Sequence, residues 1–254
     1  MESDTQSVRN ALRIVEQVST DGAVGVSDLA RHLDLPKSTV QRTLLTLRSA
    51  GWLRQDVRSR WALTLRCANI GRGVVRGHDV RAVAHPIAVG LRDTTHETVR
   101  YFLIEGDSFV LLGGAESDLA VRPVESEFAP ASLLHASAIG RATLATMPID
   151  RLEQVLARPL EPATVKTLTD PAALRAEIEA TRRRGWGQVR EDLYLDVGGV
   201  AAVAPLHDDV LVGIGISYPL HRTSDRTVSA YGRMVRDAIA DVAAAITPLL
   251  QPAG

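Results

Sequence analysis

Five side chains between residues 37 and 42 are of types that contact nucleic acid: Lys37, Ser38, Thr39, Gln41 and Arg42. Arg can donate two hydrogen bonds to one guanine, Gln can exchange two with one adenine, and Lys suits a phosphate. Small hydroxyl side chains let the backbone approach the major groove closely. The cluster predicts a DNA-reading surface, provided that it lies on an exposed helix.

The apolar residues that follow predict such a helix. Pro36 is suited to the first helical position. Val40, Leu44 and Leu47 then recur at helical spacing until the pattern ends near residue 49. These three residues share one face, which must pack on other helices. The polar cluster therefore projects from the opposite face and its flanks.

Two helices are predicted before this one. Val8, Leu12, Val15 and Val18 recur at helical spacing, so we expect residues 5–19 to form an amphipathic helix that buries this face. Ser27 is suited to the N-cap of a short helix over residues 28–33, and we include it among the candidate DNA contacts. A tight turn over residues 34–36 leads into the third helix.

A basic hairpin is predicted after the third helix. Two short β-like runs, residues 52–55 and 60–64, flank a polar tip. Arg54, Arg58 and Arg60 would place cations beside the phosphate backbone or in the minor groove. The helices, the turn and the hairpin together predict a winged helix-turn-helix over residues 1–64. A winged helix that binds protein, its polar face merely solvated, is the alternative.

The charge distribution favours DNA over that alternative. Residues 1–77 hold 12 Lys and Arg against 7 Asp and Glu, so their net charge is +5 and the remainder of this −1 chain carries −6. A basic small domain beside an acidic larger one indicates a polyanionic partner for the small domain alone.

The rest of the chain has a different pattern. We expect residues 65–77 to connect two domains and residues 78–254 to form an α+β domain, because strand and helix signals alternate there. The predicted strands are 99–105, 108–112, 121–124, 197–206 and 210–217. The predicted helices are 78–92, 135–147, a segment capped at 169–171 that ends at 184, and a final one near 228–246.

The sequence now resembles a known family. The run S-D-L-A-R-H-L-D-L-P-K-S-T-V-Q-R over residues 27–42 is similar to the helix-turn-helix of the IclR transcriptional regulators. Further similarity lies at L-H-A-S-A-I-G-R-A over residues 134–142 and at R-R-G-W over residues 183–186. The resemblance implies a winged helix-turn-helix, a connector helix and a C-terminal GAF-like antiparallel-sheet domain. That domain would bind a small effector, commonly a carboxylate.

The resemblance also implies where the effector lies. Ser132, Ala138 and Ile139 would lie near it, and the last two would offer backbone N–H groups at a helix start, where a carboxylate is attracted. Val121 and Val124 would form an apolar wall. The remaining implied positions are Glu191, Gly199, Gly215 and Ser217.

This chain departs from the family pattern at several of these positions. Gly199 and Gly215 have no side chain where the family often has Cys or Ser. Val203 replaces a usual proline, and Val189 stands where an acid is common. Fewer hydroxyls and more room predict an effector that is larger or more apolar than a two- or three-carbon acid.

The resemblance implies partners as well. Family members form homodimers, often dimers of dimers, through the DNA-binding domains. Two recognition helices held one turn of DNA apart read a palindromic double-stranded operator. Repression is the commoner mode in the family, so we expect a repressor.

The sequence gives little support to catalysis, a metal or a membrane. Gly71-x-Gly73 lacks the third glycine of a dinucleotide site. His78, His85 and His96 do not have metal-ligand spacing. His135 is interpreted as a satisfied buried or turn histidine rather than a catalytic base. We therefore expect no catalytic residue, no metal, no cofactor and no membrane association, and a cytoplasmic protein. An enzyme that processes a small molecule and carries a DNA-binding appendage is the rival interpretation.

Overall fold

The computed structural model describes residues 5–76, 80–117, 119, 131–207 and 209–250. The chain divides into two compact units, residues 1–77 and 78–254. The predicted connector falls in the first unit, where it forms a helix (α4, Leu65–Arg76). Within the described ranges, no helix is long and apolar enough to cross a membrane.

Helices and one hairpin form the first unit. Its elements are α1 (Gln6–Asp21), α2 (Val26–Leu33), α3 (Lys37–Ser49), β1 (Leu53–Gln55), β2 (Trp61–Leu63) and α4. β1 and β2 pair antiparallel, which confirms the predicted hairpin. Ile14, Leu29, Leu44 and Trp61 are fully buried in the common core of the helices and the hairpin. The apolar side of α3 is thereby fixed against α1 and α2, and its polar side is left outward.

The predicted buried face of α1 is confirmed at Val18 and wrong at Val8 and Leu12. Asn10, Ile14 and Val18 are the buried residues of α1, whereas Val8 and Leu12 are 56% and 57% exposed. Apolar residues occur on two sides of this helix, so periodicity alone could not tell which side α2 and α3 cover. The buried amide oxygen of Asn10 accepts a hydrogen bond from Gln6 Nε2 at 2.9 Å.

Two predicted helix starts are also wrong. α2 begins at Val26, after an extended Gly25, and no side chain caps it, so Ser27 lies exposed in the first turn. Glycine is itself tolerated at an N-cap because it adopts extended backbone freely. Pro36 precedes α3 rather than opening it, since its ψ of 135° is extended rather than helical.

The second unit is an antiparallel sheet with helices on both faces. Its elements are α5 (Val80–Thr95), β3 (Thr98–Glu105), β4 (Ser108–Ala115), a 3-10 segment (Ala131–Ala136), α6 (Ala138–Thr146), α7 (Ile149–Leu156), α8 (Pro171–Arg184), β5 (Gly187–Arg190), β6 (Val197–His207), β7 (Val210–Pro219), a 3-10 turn (Leu220–Arg222) and α9 (Asp225–Leu250). The strand order is β4-β3-β7-β6-β5. α5 and α9 pack on one face of the sheet, and α6 packs on the other.

Local sequence explains most of these elements. The predicted hairpin at residues 106–107 is confirmed, with Gly106 at a φ of +60°. Asp170 caps α8 by accepting a hydrogen bond from the Ala173 N–H, and Gly185 ends it in the left-handed conformation, as predicted. α7 and β5, of eight and four residues, were not predicted, because packing on neighbouring elements rather than a local pattern determines them.

The predicted helix over residues 135–147 begins later than expected. Ser137 is extended, and its hydroxyl accepts a hydrogen bond from the Gly140 N–H at 3.0 Å, so α6 starts at Ala138. The residues before Ser137 form the separate 3-10 segment. The cap thus gives the start of α6 a defined position over the sheet.

We expect Gly140→Ala to lower the free energy of unfolding by about 1–3 kcal/mol. A Cβ at Gly140 would collide with the Leu134 carbonyl and would lie 2.7 Å from the Ser137 hydroxyl. Urea unfolding followed by circular dichroism measures the change. The control is Gly90→Ala in α5, where nothing lies within 4 Å. This change should be neutral or stabilising by up to about 1 kcal/mol. Equal effects of the two changes would contradict the packing argument.

Candidate nucleic-acid interface and ligand cavity

α3 presents the polar cluster to solvent. Val40 and Leu44 are buried, whereas Ser38, Gln41 and Arg42 are exposed. Lys37 is exposed as well, and Thr39 is half-buried. The structure therefore brings the five predicted contacts of this helix together on its open side and flank. Such a face can hydrogen-bond to base edges while the start of the helix approaches phosphate.

The turn before α3 depends on Asp34. Its backbone is left-handed, with a φ of 51°, a conformation that Asp tolerates better than most residues. The Leu35 N–H then donates to the Ala30 carbonyl at 3.0 Å, which closes the end of α2. These bonds end α2 at Leu33, and α3 begins at Lys37, so only three residues form the turn.

Asp56 organises the tip of the hairpin. Its carboxylate accepts from the backbone N–H groups of Arg58 and Arg60 at 2.8 and 2.9 Å and from the Arg60 Nε at 3.0 Å. The Arg60 N–H foremost, followed by that of Arg58, lowers the pKa of this carboxyl. Ser59 completes the turn with a φ of +60°. Asp56 was not predicted from the sequence, although an acid at the start of a polar tip is a recognised turn signal.

The three predicted hairpin arginines are therefore not equivalent. Arg54, Arg58 and Arg60 are all exposed, but the Arg60 guanidinium is paired with Asp56. The base of the hairpin is held to α3, since the Arg48 guanidinium lies 5.9 Å from the centre of the buried Trp61 ring. Arg54 and Arg58 are the better candidates for contacts with an anionic partner.

A cavity of about 120 Å³ lies between the sheet of the second unit and the start of α6. Its walls are mainly apolar, and aromatic rings contribute to them. The described lining residues are Arg100, Phe102, Phe109, Leu111, Leu134, Ser137, Ala138, Ile139, Val189, Leu193, Tyr194, Val197, Gly198, Gly199, Val200, Ala201, Gly215, Ile216 and Ser217. Concave apolar sites with a few polar groups are typical of small-molecule binding.

Five of the predicted effector positions meet in this cavity: Ala138, Ile139, Gly199, Gly215 and Ser217. Val121 and Val124 lie outside the described residues, and for Ser132 only its place in the 3-10 segment is described. Three further lining residues were not predicted from the sequence: Arg100, Phe102 and Phe109. The sequence signal that could have found them is the alternation of side chains along β3 and β4, because successive residues of a strand point to opposite faces of the sheet.

Glu191 is not among the residues that line the cavity. It adopts a φ of +65° in the turn between β5 and β6. Its carbonyl accepts from the Thr164 hydroxyl at 2.6 Å, and its carboxylate accepts from the Asp196 N–H at 3.3 Å. Glu191 therefore shapes the turn that carries Leu193 and Tyr194 into the cavity wall.

The start of α6 offers backbone donors to the cavity. Ser137 satisfies the Gly140 N–H with its hydroxyl and the Arg141 N–H with its carbonyl. Ala138 and Ile139 are the first two residues of the helix, where N–H groups have no partner within the helix. Those two N–H groups and the helix dipole favour an anion at this point.

A buried ion pair holds α6 in place. The side chains of Arg141 and Asp192 are 5% and 7% exposed and are in direct contact. Arg141 also donates to the carbonyl oxygens of His135 and Gln188, each at 2.8 Å. Asp192 also accepts from the N–H groups of Leu168 and Arg190, at 3.0 and 2.9 Å. α6, β5 and the loop before α8 are thus joined through two side chains.

His135 is buried, and its ring has a hydrogen-bond partner. It is 2% exposed, and its Nε2 lies 3.0 Å from the Glu161 carbonyl oxygen, to which a neutral ring can donate. Burial lowers the pKa of this imidazole, so the neutral form is favoured. No three His, Cys, Asp or Glu side chains within the described ranges are grouped so as to hold a metal ion.

We expect Arg141→Gln to lower the free energy of unfolding of the second unit by about 3–5 kcal/mol, because Asp192 would stay buried without its counter-ion. Chemical denaturation followed by Trp fluorescence measures the loss. The matched control is Arg151→Gln, because Arg151 is exposed and, among the described contacts, its side chain donates only to Gln154, at 3.1 Å. A loss no greater than that of the control would show that the pair is dispensable.

Comparison with known proteins identifies both units. A family model described as the IclR helix-turn-helix domain matches residues 7–57. A second model, the C-terminal part of the bacterial transcriptional regulator IclR, matches residues 72–244. Together these matches include most of the chain.

Curated relatives match over nearly the full length. The chain is 30% identical over 248 residues to the HTH-type transcriptional regulator BhcR of Paracoccus denitrificans, covering 96% of this chain and 88% of the relative. It is 31% identical over 251 residues to the transcriptional repressor AllR of Escherichia coli, covering 95% and 90%. It is 27% identical over 243 residues to the E. coli repressor IclR, covering 93% and 88%.

Solved structures share the fold. An IclR regulator from Alicyclobacillus acidocaldarius superposes with a TM-score of 0.77 at 21% identity, covering 95% of this chain and 98% of the other. An IclR homologue from Microbacterium hydrocarbonoxydans, complexed with 4-hydroxybenzoate, superposes with a TM-score of 0.73 at 23% identity, covering 94% and 98%. With both family models matched and repressors of this kind aligned end to end, the chain belongs to the IclR family of bacterial transcriptional regulators.

Proposed function

We propose that this regulator is a repressor that binds a palindromic operator as a homodimer or a dimer of dimers. A small organic carboxylate, bound in the cavity at the start of α6, alters its affinity for DNA. The observation that carries the proposal is the exposed polar face of α3, supported from below by a buried apolar face. The protein acts in the cytoplasm, where bacterial DNA lies.

The DNA contacts divide into two kinds. Gln41 and Arg42 read base edges, and Lys37, Ser38 and Thr39 approach phosphate or base edges near the start of α3. Arg54 and Arg58 on the hairpin contact the backbone or the minor groove, and Arg60 contributes less because Asp56 already pairs with it. Ser27 lies exposed in the first turn of α2 and contacts phosphate.

The homodimer is supported by the exposed side of α1. Val8 and Leu12 lie one helical turn apart, and more than half of each side chain is open to solvent. A contiguous apolar stripe on a small domain is a surface that a partner covers. A second copy of the chain is the partner that would also give a palindromic operator its two half-sites.

The cavity supports an apolar or aromatic acid as the effector. The N–H groups of Ala138 and Ile139 attract the carboxylate, and the hydroxyl of Ser217 adds one donor nearby. An apolar cavity of about 150 Å³ holds a benzene molecule, so a cavity of about 120 Å³ with aromatic walls is close to the size of one ring. Effector binding would change operator affinity through a coupling of about 1–3 kcal/mol, the usual range.

Selection of bound sequences from random DNA tests the function. The full-length protein should enrich one palindromic sequence, and the enrichment should change when carboxylates are added. Mass spectrometry of each added acid, after incubation with the protein, tests the rival enzyme. Intact acid supports a sensor, and a converted acid would support catalysis.

We expect Arg42→Ala to lower the ratio of operator affinity to random-DNA affinity by about 5- to 150-fold, since it removes a base contact worth about 1–3 kcal/mol. Fluorescence anisotropy with both DNA fragments measures the ratio. Arg66→Ala removes an exposed cation of α4 and should leave the ratio unchanged. A ratio that stays at the wild-type value in Arg42→Ala would refute this base contact.

The double change Arg54→Ala with Arg58→Ala should weaken binding to specific and random DNA alike. Each phosphate contact contributes about −0.9 to the slope of log affinity against log salt, so the loss of two contacts should make the slope less negative by roughly 2. Titrations at several salt concentrations give the slope. An unchanged slope would place the hairpin away from DNA.

Ring-sized acids should stabilise the protein against heat more than two- or three-carbon oxoacids at equal concentration, because they fill the apolar cavity. A thermal-shift series of benzoate, 4-hydroxybenzoate, pyruvate and glyoxylate makes the comparison. The proposed size would be wrong if only the smallest oxoacids raised the midpoint.

A further inference from the structure

The effector cavity contains a cation, Arg100, in addition to the start of α6, which also attracts anions. Arg100 is the one charged residue among the described residues that line the cavity. Its side chain is 21% exposed, so most of the side chain lies against the protein. A guanidinium beside apolar walls prefers an anionic partner, above all a carboxylate that can accept two hydrogen bonds.

The strand register separates Arg100 from the start of α6. Arg100 on β3 pairs with Gly215 on β7, which in turn pairs with Ala201 on β6. α6 lies over β6, since the Ala138 Cβ is 3.5 Å from the position that a Cβ at Gly199 would occupy. Two strand spacings, roughly 10 Å, therefore separate the strand that carries Arg100 from the strand beneath α6. The two anion-attracting groups lie on opposite sides of one cavity.

The space beside Arg100 is kept open by glycine. A Cβ at Gly114, its neighbour on β4, would lie 3.1 Å from both Cδ and Nη1 of Arg100. On the other side, Gly215 presents no side chain to the cavity. Phe102 and Leu111 continue the wall towards β4. A ligand can thus reach the guanidinium along an apolar surface.

Glu116 is the present partner of Arg100, which donates to it through Nη1. The Glu116 side chain is 49% exposed, so the pair is open to solvent at this end. Exposed ion pairs contribute little to stability, because water and salt screen them. A ligand carboxylate can therefore replace Glu116, or share the guanidinium with it, at little cost to the fold.

We propose that Arg100 is a second anion-binding position, and that the effector carries two acidic groups joined by an apolar spacer. One acidic group binds at the start of α6 and the other binds Arg100. The inference rests on the proposed effector site at α6 and narrows its ligand from a carboxylate to a dianion. Arg100 is then the residue that selects diacids over monoacids.

Matched pairs of acids test this on the full-length protein by titration calorimetry. Terephthalate is compared with 4-carbamoylbenzoate, and adipate with its monoamide, so that each pair differs in one charge and hardly in shape. We expect each diacid that fits to bind about tenfold or more tightly than its monoamide, the size of one charge-assisted contact. Arg100→Gln should bring that ratio close to one, and Arg100→Lys should keep part of it.

Two further variants separate a binding role from a structural one. Glu116→Gln removes the competing carboxylate and should tighten diacid binding several-fold while the monoamides are unaffected. Arg92→Gln is the control, because Arg92 donates to the Glu116 carbonyl at 3.3 Å but does not line the cavity. It should leave the ratio as in the wild type.

The outcomes distinguish this inference from the proposed function. If monoacids bind as well as diacids, or if the diacid preference survives Arg100→Gln, the inference is overturned and the α6 carboxylate site stands. If none of the diacids or monoamides binds, and benzoate does not bind either, the carboxylate effector fails and the inference fails with it. If the ratio of diacid affinity to monoamide affinity falls only in the Arg100 variants, the result supports both the α6 carboxylate site and the inference.

Discussion

The position of α6 beside the ligand cavity depends on one buried ion pair. Arg141 and Asp192 connect the first turn of α6 with β5, with the loop before α8 and with the turn into β6. A buried pair of this kind contributes little net stability over well-packed apolar residues. Its geometry is demanding, however, because every donor of the guanidinium must meet an acceptor. We infer that the pair fixes where α6 begins, and with it where the free N–H groups of Ala138 and Ile139 lie.

The first unit is organised differently, by an apolar core that leaves polar surface outward. Trp61 anchors the hairpin in the core of the three helices, and Arg48 lies against its ring. The Asp56 carboxylate then orders the tip of the hairpin by accepting hydrogen bonds from the backbone N–H groups of Arg58 and Arg60. Arg54 and Arg58 are thereby displayed without being paired to this acid, and in this way a short hairpin can present cations beside the open face of α3.

The sequence predicted features that short-range patterns determine. The α3 face followed from Val40 and Leu44, the β3–β4 hairpin from Gly106-Asp107, and the start of α8 from Asp170. Features that depend on tertiary packing were missed: the covered side of α1, the late start of α6, and the elements α7 and β5. The resemblance to a family brought Ala138, Ile139, Gly199, Gly215 and Ser217 together in advance. It gave no indication of Arg100, whose place in the cavity follows from strand register.

The glycines of the cavity floor have a consequence for how such regulators diversify. A Cβ at Gly199 would lie 3.3 Å from the Val189 side chain, a crowding that a small shift can relieve. One at Gly215 would lie 3.1 Å from the backbone carbonyl of Val200 as well as from the Ala201 side chain, and one at Gly213 would meet the Ile139 side chain at 2.5 Å. A single-codon change to serine or alanine at Gly199 could therefore reshape the cavity while the sheet keeps its packing. A duplicated gene could acquire a new signal by such steps and keep its operator, since the DNA-reading helix belongs to a separate compact unit.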